Sequence, residues 1–121
     1  MNIDTGTLLS FSAAGAGTYS TVDLPNGEWS KISVGINFTT VTSATVVVTV
    51  YGKDIVSGTY YALLAGPGLT TTGFTNLQIA PGLTPTSTSA DGLLPKTYRI
   101  TAVVTGGSAV VTGTIGASLL Q

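Results

Sequence analysis

Residues 31–40 read KISVGINFTT, which puts Ile32, Val34, Ile36 and Phe38 on one side of the chain and Ser33, Gly35, Asn37 and Thr39 on the other. Strict period-two alternation marks a strand with one face on a core and the other toward solvent. Downstream, ATVVVTVYG (residues 44–52) repeats the pattern with Val46, Val48 and Val50 inward. Val47 and Tyr51 leave its second face partly apolar, so this strand is expected to be covered on both sides. The intervening residues 41–43 have a length suited to a hairpin.

Working outward, KDIVSG (residues 53–58) is a turn-rich connection into TYYALLA (residues 59–65). Adjacent Tyr60 and Tyr61 must face opposite sides of a strand, one toward the core and one toward the surface. Gly66, Pro67 and Gly68 break the chain before GFTNLQIA (residues 73–80), where Leu77 and Ile79 are the inward pair. Residues 80–95, APGLTPTSTSADGLLP, read as a long contact-making loop. The chain then closes on KTYRITAVVT, Gly106 and Gly107, and SAVVTGTIGAS, the clearest hairpin signal present, because paired glycines tolerate the positive φ of a tight turn. Tyr98, Ile100, Ala102 and Val104 share one face of its first strand, and Val111, Gly113, Ile115 and Ala117 one face of its second. Gly113 and Gly116 admit a close backbone or ring. TLLSFSA and GTYSTVDL upstream supply one or two more strands. The sum is an all-β chain, an antiparallel β-sandwich or barrel of seven to eight short strands, in one domain over residues 1–121 with residues 1–7 as an N-terminal contact arm.

The side chains that carry chemistry are scarce. There is no histidine, no cysteine, and only four basic and five acidic residues. Acid–base and nucleophilic catalysis draw on those missing types or on clustered carboxylates. Asp4, Asp23, Glu28, Asp54 and Asp91 fall in expected turns or termini, where aspartates cap local amides. The glycine-rich AAGAG lacks the helix that a phosphate cradle needs. The chain is therefore expected not to be an enzyme and to have no catalytic, cofactor or metal residues. Lys31, Lys53, Lys96 and Arg99 are scattered, which argues against nucleic acid. No basic leader precedes the first apolar residues and no apolar run approaches the roughly 18 residues of a membrane helix, so neither a signal peptide nor a membrane partner is expected.

A folded chain of this size exposes roughly 6,000 Å². Ordinary domains are about 25% charged; this one is 7% charged with a mean hydropathy of +0.47. Such an exterior is expected to be covered by copies of itself or by a larger assembly, edge strands included. Five residues are the candidate contact points: Trp29 in DLPNGEWSK, Tyr60 and Tyr61 as aromatic anchors, and Leu119 and Leu120 in the uncharged tail ASLLQ, which either completes an edge strand or docks on a neighbour.

Three stretches, SAAGAGTYSTVDLPNG (residues 12–27), VTVYGKDIVSGTYYALLAG (residues 48–66) and LLPKTYRITAVVTGGSAVVTGTIGASLL (residues 93–120), resemble the small all-β virion proteins of tailed bacteriophages, commonly capsid decoration or cement subunits. The resemblance implies a sandwich or barrel, a homo-oligomer that is often a trimer, and attachment to the major capsid protein on the outside of the head after synthesis in the host cytoplasm. It carries no active-site residue. The same vocabulary serves tail, fibre and baseplate modules, so the alternative is a phage module binding a host surface, carbohydrate included.

Overall fold

The computed structural model describes residues 3–26 and 30–120. Among them run ten strands: β1 (Ile3–Ala14), β2 (Gly17–Ser20), β3 (Leu24–Pro25), β4 (Lys31–Thr42), β5 (Thr45–Lys53), β6 (Tyr60–Ala65), β7 (Gly73–Ala80), β8 (Ser89–Asp91), β9 (Thr97–Thr105) and β10 (Val110–Leu120). One sheet has the order β1-β10-β4-β7-β8; the other has β2-β9-β5-β6, with β3 also paired to β9. The expected all-β sandwich is present, with more strands than the seven or eight read from the turns. It is antiparallel throughout except for β8, which runs parallel to β7.

The alternating segments bury the faces they advertise. Ile32, Val34, Ile36 and Phe38 from one sheet are at most 2% exposed, and so are Val46, Val48, Val50, Tyr98, Ile100, Ala102 and Val104 from the other. Each large side chain removed from water in this way contributes about 1.5–3 kcal/mol relative to leaving it exposed. Thr49, on the second face of β5, is also buried, but Val47 and Tyr51 on that face are only half-buried, so the strand is covered fully on one side and partly on the other.

Both expected hairpins are absent. β4 pairs with β10 and β7, while β5 pairs with β9 and β6, so residues 43–44 carry the chain from one sheet to the other. Likewise β9 and β10 lie in opposite sheets, and Gly106 and Gly107 help form a corner between them. The physical reason is shared. A hairpin would place two apolar faces side by side in one sheet, whereas a corner sets them opposite each other around one core. The two corners touch: a β-carbon on Gly106 would lie 2.1 Å from the Ser43 carbonyl oxygen.

The edges are managed without lysine. Strand β1 carries three register shifts against β10, and bulges are a standard way to spoil an edge for further pairing. The other edges, β2, β8 and β6, are four, three and six residues long. Edge-to-edge assembly, expected from the scarcity of charge, therefore has no long regular edge among the described residues to use. Residues 3–7 of the expected contact arm belong to β1 and pair with β10; Met1 and Asn2 lie outside the described residues. The expected long loop over 80–95 contains β8 and is tied down by Gln78 N–H donating to Thr88, Gly92 N–H to Ala80 and Leu94 N–H to Ser30.

Tyr98 is 1% exposed, and burial pushes its phenol pKa above the ordinary value of 10.0. Above about pH 10 the unfolded chain loses this proton while the folded chain keeps it, so the unfolded state binds fewer protons and stability falls as pH rises. Below that pH both states are protonated and the group contributes nothing to the dependence. Chemical denaturation at pH 9 to 11, taken as roughly the span of a tyrosine titration, is expected to show a decline that Tyr98→Phe reduces. An identical decline in the variant would assign it to other tyrosines.

Candidate interaction surface

One end of the sandwich collects most of what the core leaves out. Leu24 of β3 is in register with Tyr98 of β9, which is in register with Gly52 of β5, so β3, the β5–β6 turn and the start of β9 lie together. Asn26 bonds to Leu94 and Lys96, and Ser30 bonds to Leu94 and Leu120, which brings the end of β10 to the same place. Val22, Ile55, Val56 and Leu93 at this end are 65–95% exposed, and Tyr61 is 44% exposed.

The tip carrying Ile55 and Val56 is built by Asp54. Its carboxylate accepts from Val56 N–H at 3.4 Å, Ser57 N–H at 3.3 Å and the Ser57 hydroxyl at 2.6 Å, while its backbone bonds to Thr59 and Gly58 close the turn. Those bonds, the Ser57 hydroxyl first and then Val56 N–H, hold the Asp54 pKa below its usual value. Gly58 adopts φ +75°, where a β-carbon is strained. The turn thus presents two apolar side chains in a fixed arrangement, which lowers the entropy cost of burying them against a partner.

Beside the tip, the outer face of the β2-β9-β5-β6 sheet holds an ionic and aromatic cluster. Asp23 accepts from Lys53 Nζ at 2.8 Å and from the Tyr60 hydroxyl at 2.5 Å. The Lys53 hydrogen bond, followed by that from Tyr60, lowers the Asp23 pKa, and Asp23 in turn raises that of Lys53. The Arg99 guanidinium lies 3.7 Å from the Tyr60 ring centroid and 5.8 Å from that of Tyr51. Asp23, Leu24, Pro25, Lys53, Ile55 and Thr97 enclose a hollow of about 390 Å³ between the cluster and the tip.

The sequence-derived contact residues fall unevenly on this surface. Tyr60 and Tyr61 do face opposite sides, but neither is buried: Tyr60 joins the cluster, and Tyr61 covers Gly52, where an added β-carbon would meet its ring at 2.7 Å. Leu119 is 5% exposed inside the core, so the closed sandwich offers almost none of it to a partner. Leu120 is half-buried at the end of β10, an interior strand flanked by β1 and β4 rather than an edge. Trp29, with Glu28, lies outside the described residues. Sequence reading passed over Ile55, Val56, Asp23, Lys53 and Arg99 as contact residues. The available signal was an apolar pair inside KDIVSG, a turn whose other residues are polar or glycine.

Each described aspartate side chain has a local structural partner: Asp23 the Lys53–Tyr60 pair, Asp54 its turn, and Asp91 the Gly82 N–H at 2.8 Å. Among the described residues no three acidic side chains converge as a metal-binding group. A second hollow, of about 370 Å³, lies on the outer face of the other sheet around Gly35, Gly116, Ser33, Asn76 and Phe74. Its glycines are in register across β4 and β10, and the edge of the 69% exposed Phe74 ring covers Gly35.

No family model matches the chain, and no curated protein does. Among solved structures it is similar to a chain of "Structure of infectious bursal disease virus Gt strain", with 16% identity and a TM-score of 0.36 over 93% of this chain and 32% of that one. The chain thus spans about a third of the length of the chain it matches, and a likeness at that score carries nothing about function.

Proposed function

We propose that this protein is a non-enzymatic virion component, a decoration or cement subunit that docks on the outer lattice of a phage head and stabilises it. The observation that supports the reading best is the rigid apolar tip, Ile55 and Val56, standing beside a cluster of tyrosine, arginine and one ion pair. Interfaces concentrate binding energy in such aromatic, arginine and apolar groups. The sequence resemblance supplies the partner, the major capsid protein, and the trimeric state belongs to the same proposal. With its edges short or bulged, a trimer would assemble through loops or sheet faces. Many copies on one lattice act together, so modest single-site affinity is enough to raise the melting temperature of the head.

Ile55→Asp and Val56→Asp test this on heads stripped of the protein. Each exposed apolar anchor is worth about 2 kcal/mol or more if it sits at the centre of the interface, so each variant is expected to bind roughly thirtyfold more weakly. Its own melting temperature should stay near that of the parent, because both side chains are at least 74% exposed. Unchanged occupancy of the heads rejects the placement. Binding of soluble glycans that Phe74→Ala abolishes would instead favour the host-surface alternative, through the second hollow.

A further inference from the structure

We infer that Arg99 is a receptor for a carboxylate, and that the partner docking on this end inserts an aspartate or glutamate side chain against the end of its guanidinium. The inference rests on the docking reading above and adds the chemistry of the partner. Arg99 stands on the outer face of β9 opposite Tyr51 of β5. The Tyr60 ring packs against its guanidinium with the centroid 3.7 Å away, and the Tyr60 hydroxyl is itself anchored to Asp23. Among the described residues no hydrogen bond or ion pair reaches the guanidinium, and its Nε is shut off from solvent without an acceptor. Nη1 and Nη2 are not closed off in this way.

An arginine drawn into a partly buried site ordinarily meets a carboxylate or another planar acceptor, because its fork of donors is costly to leave unmatched. Asp23 is held by Lys53 at one oxygen and by Tyr60 at the other, and it acts on Arg99 through space with no hydrogen bond or ion pair between them. The cluster therefore holds two cations and one anion, a local excess of one positive charge on a chain whose net charge is -1. One carboxylate balances it. A phosphate-rich partner would call for several unpaired basic residues, whereas of the two cations here Lys53 is already paired with Asp23. The apolar tip and Val22 lie at the same end of the sandwich, and a partner seated on them would exclude water there and strengthen a charge-assisted contact.

The test uses the intact protein and two blocked peptides, acetyl-Leu-Glu-Leu-amide and acetyl-Leu-Gln-Leu-amide, with the Arg99 side-chain NH signals and the Tyr60 ring followed by NMR. The glutamate peptide is expected to bind at least about tenfold more tightly than its glutamine counterpart, and the preference should shrink as salt is raised. Arg99→Lys keeps the charge but loses the fork and the stack, and should abolish most of that preference. Equal binding of the two peptides, or no movement of the Arg99 signals with either, overturns the inference without depending on any variant. The outcome is separable from the docking reading: if heads bind the parent and Arg99→Lys alike, the lattice role stands and the carboxylate receptor falls. If the glutamate preference is found but heads do not bind the parent, the receptor stands and the lattice role falls.

Discussion

Gly106→Ala is expected to destabilise the protein by about 2–4 kcal/mol, whereas Gly107→Ala, one residue on, should change stability by no more than about 0.5 kcal/mol. Gly106 has φ +137° and no room: its added β-carbon would fall 2.1 Å from the Ser43 carbonyl oxygen and 3.4 Å from Ala44 Cα. Both neighbours are backbone, held by the crossing of residues 43–44 between the sheets, so relief requires one corner to move off the other. Gly107 has nothing within 4 Å of the same position and no left-handed φ. For a chain of this size 1 kcal/mol shifts the melting temperature by roughly 4 °C, so the two variants should separate by about 8–15 °C in a thermal scan. The comparison also distinguishes the corner from the hairpin that the sequence suggests. A two-residue type I′ turn needs positive φ at both central residues, and would penalise alanine at both. Similar melting temperatures for the two variants would reject the corner.

That contrast shows where the sequence is legible and where it stops. Alternation told correctly which side chains of KISVGINFTT, ATVVVTVYG and KTYRITAVVT face the core, because burial is a property of each residue and its immediate neighbours. It did not tell which strand lies beside which. Gly106-Gly107 between two alternating segments has the same local signature whether the chain turns back within a sheet or crosses to the other. Choosing between them requires knowing that β9 pairs with β5, whose closest pairing, Gly52 with Tyr98, lies forty-six positions apart in the chain. The close approaches at Gly113 and Gly116 were readable because glycine in an otherwise regular strand has few other uses. A β-carbon on Gly116 would sit 2.6 Å from the Gly6 carbonyl oxygen.

The candidate surface was less legible for a related reason. Adjacency put Tyr60 and Tyr61 on opposite faces but wrongly sent one of them to the core, and the Asp23–Lys53–Tyr60–Arg99 cluster joins four segments of chain. Nothing in DLPNGEWSK announces that its aspartate meets a lysine thirty residues later. Leu119 shows the opposite error. An uncharged tail suggested a free docking segment, yet β10 is an interior strand, so its alternation continues inward to Leu119 against Ile32. The scarcity of charge remains a property of the whole exterior. At 6039 Å², the accessible area matches the roughly 6,000 Å² of a compact monomer. The low charge is thus spread over an ordinary area, and the exposed apolar residues gathered at one end say more about docking than the average does.

Phe38→Ala is expected to cost about 3–5 kcal/mol, lowering the melting temperature by roughly 12–20 °C, while leaving the docking end intact. Phe38 is 2% exposed and stands in register with Gly113, which on its other side is in register with Phe11. Because Gly113 has no side chain, the two phenyl rings approach across it to a centroid distance of 5.9 Å at 76°. Phe11 then meets Tyr19 of the opposite sheet at 5.2 Å and 81°. The row Phe38–Phe11–Tyr19 joins the two sheets beside their β1 and β2 edges, and edge-on rings contribute beyond the area they bury. Alanine at 38 leaves a cavity that nothing adjacent can fill. Gly113 cannot supply the missing methyl, since its β-carbon would also strike the Asn37 carbonyl oxygen at 2.2 Å, so Phe38→Ala with Gly113→Ala should melt lower than Phe38→Ala alone. Strand β4 begins at the docking end, with Lys31 beside Leu120, and Phe38 lies toward its other end, beside Gly73. Below its melting temperature Phe38→Ala should therefore bind heads within about twofold of the parent, as expected for sites too far apart to couple. Loss of binding in a variant that is still folded would mean that the sandwich does not act as a rigid support, and that its core and its contact surface are coupled.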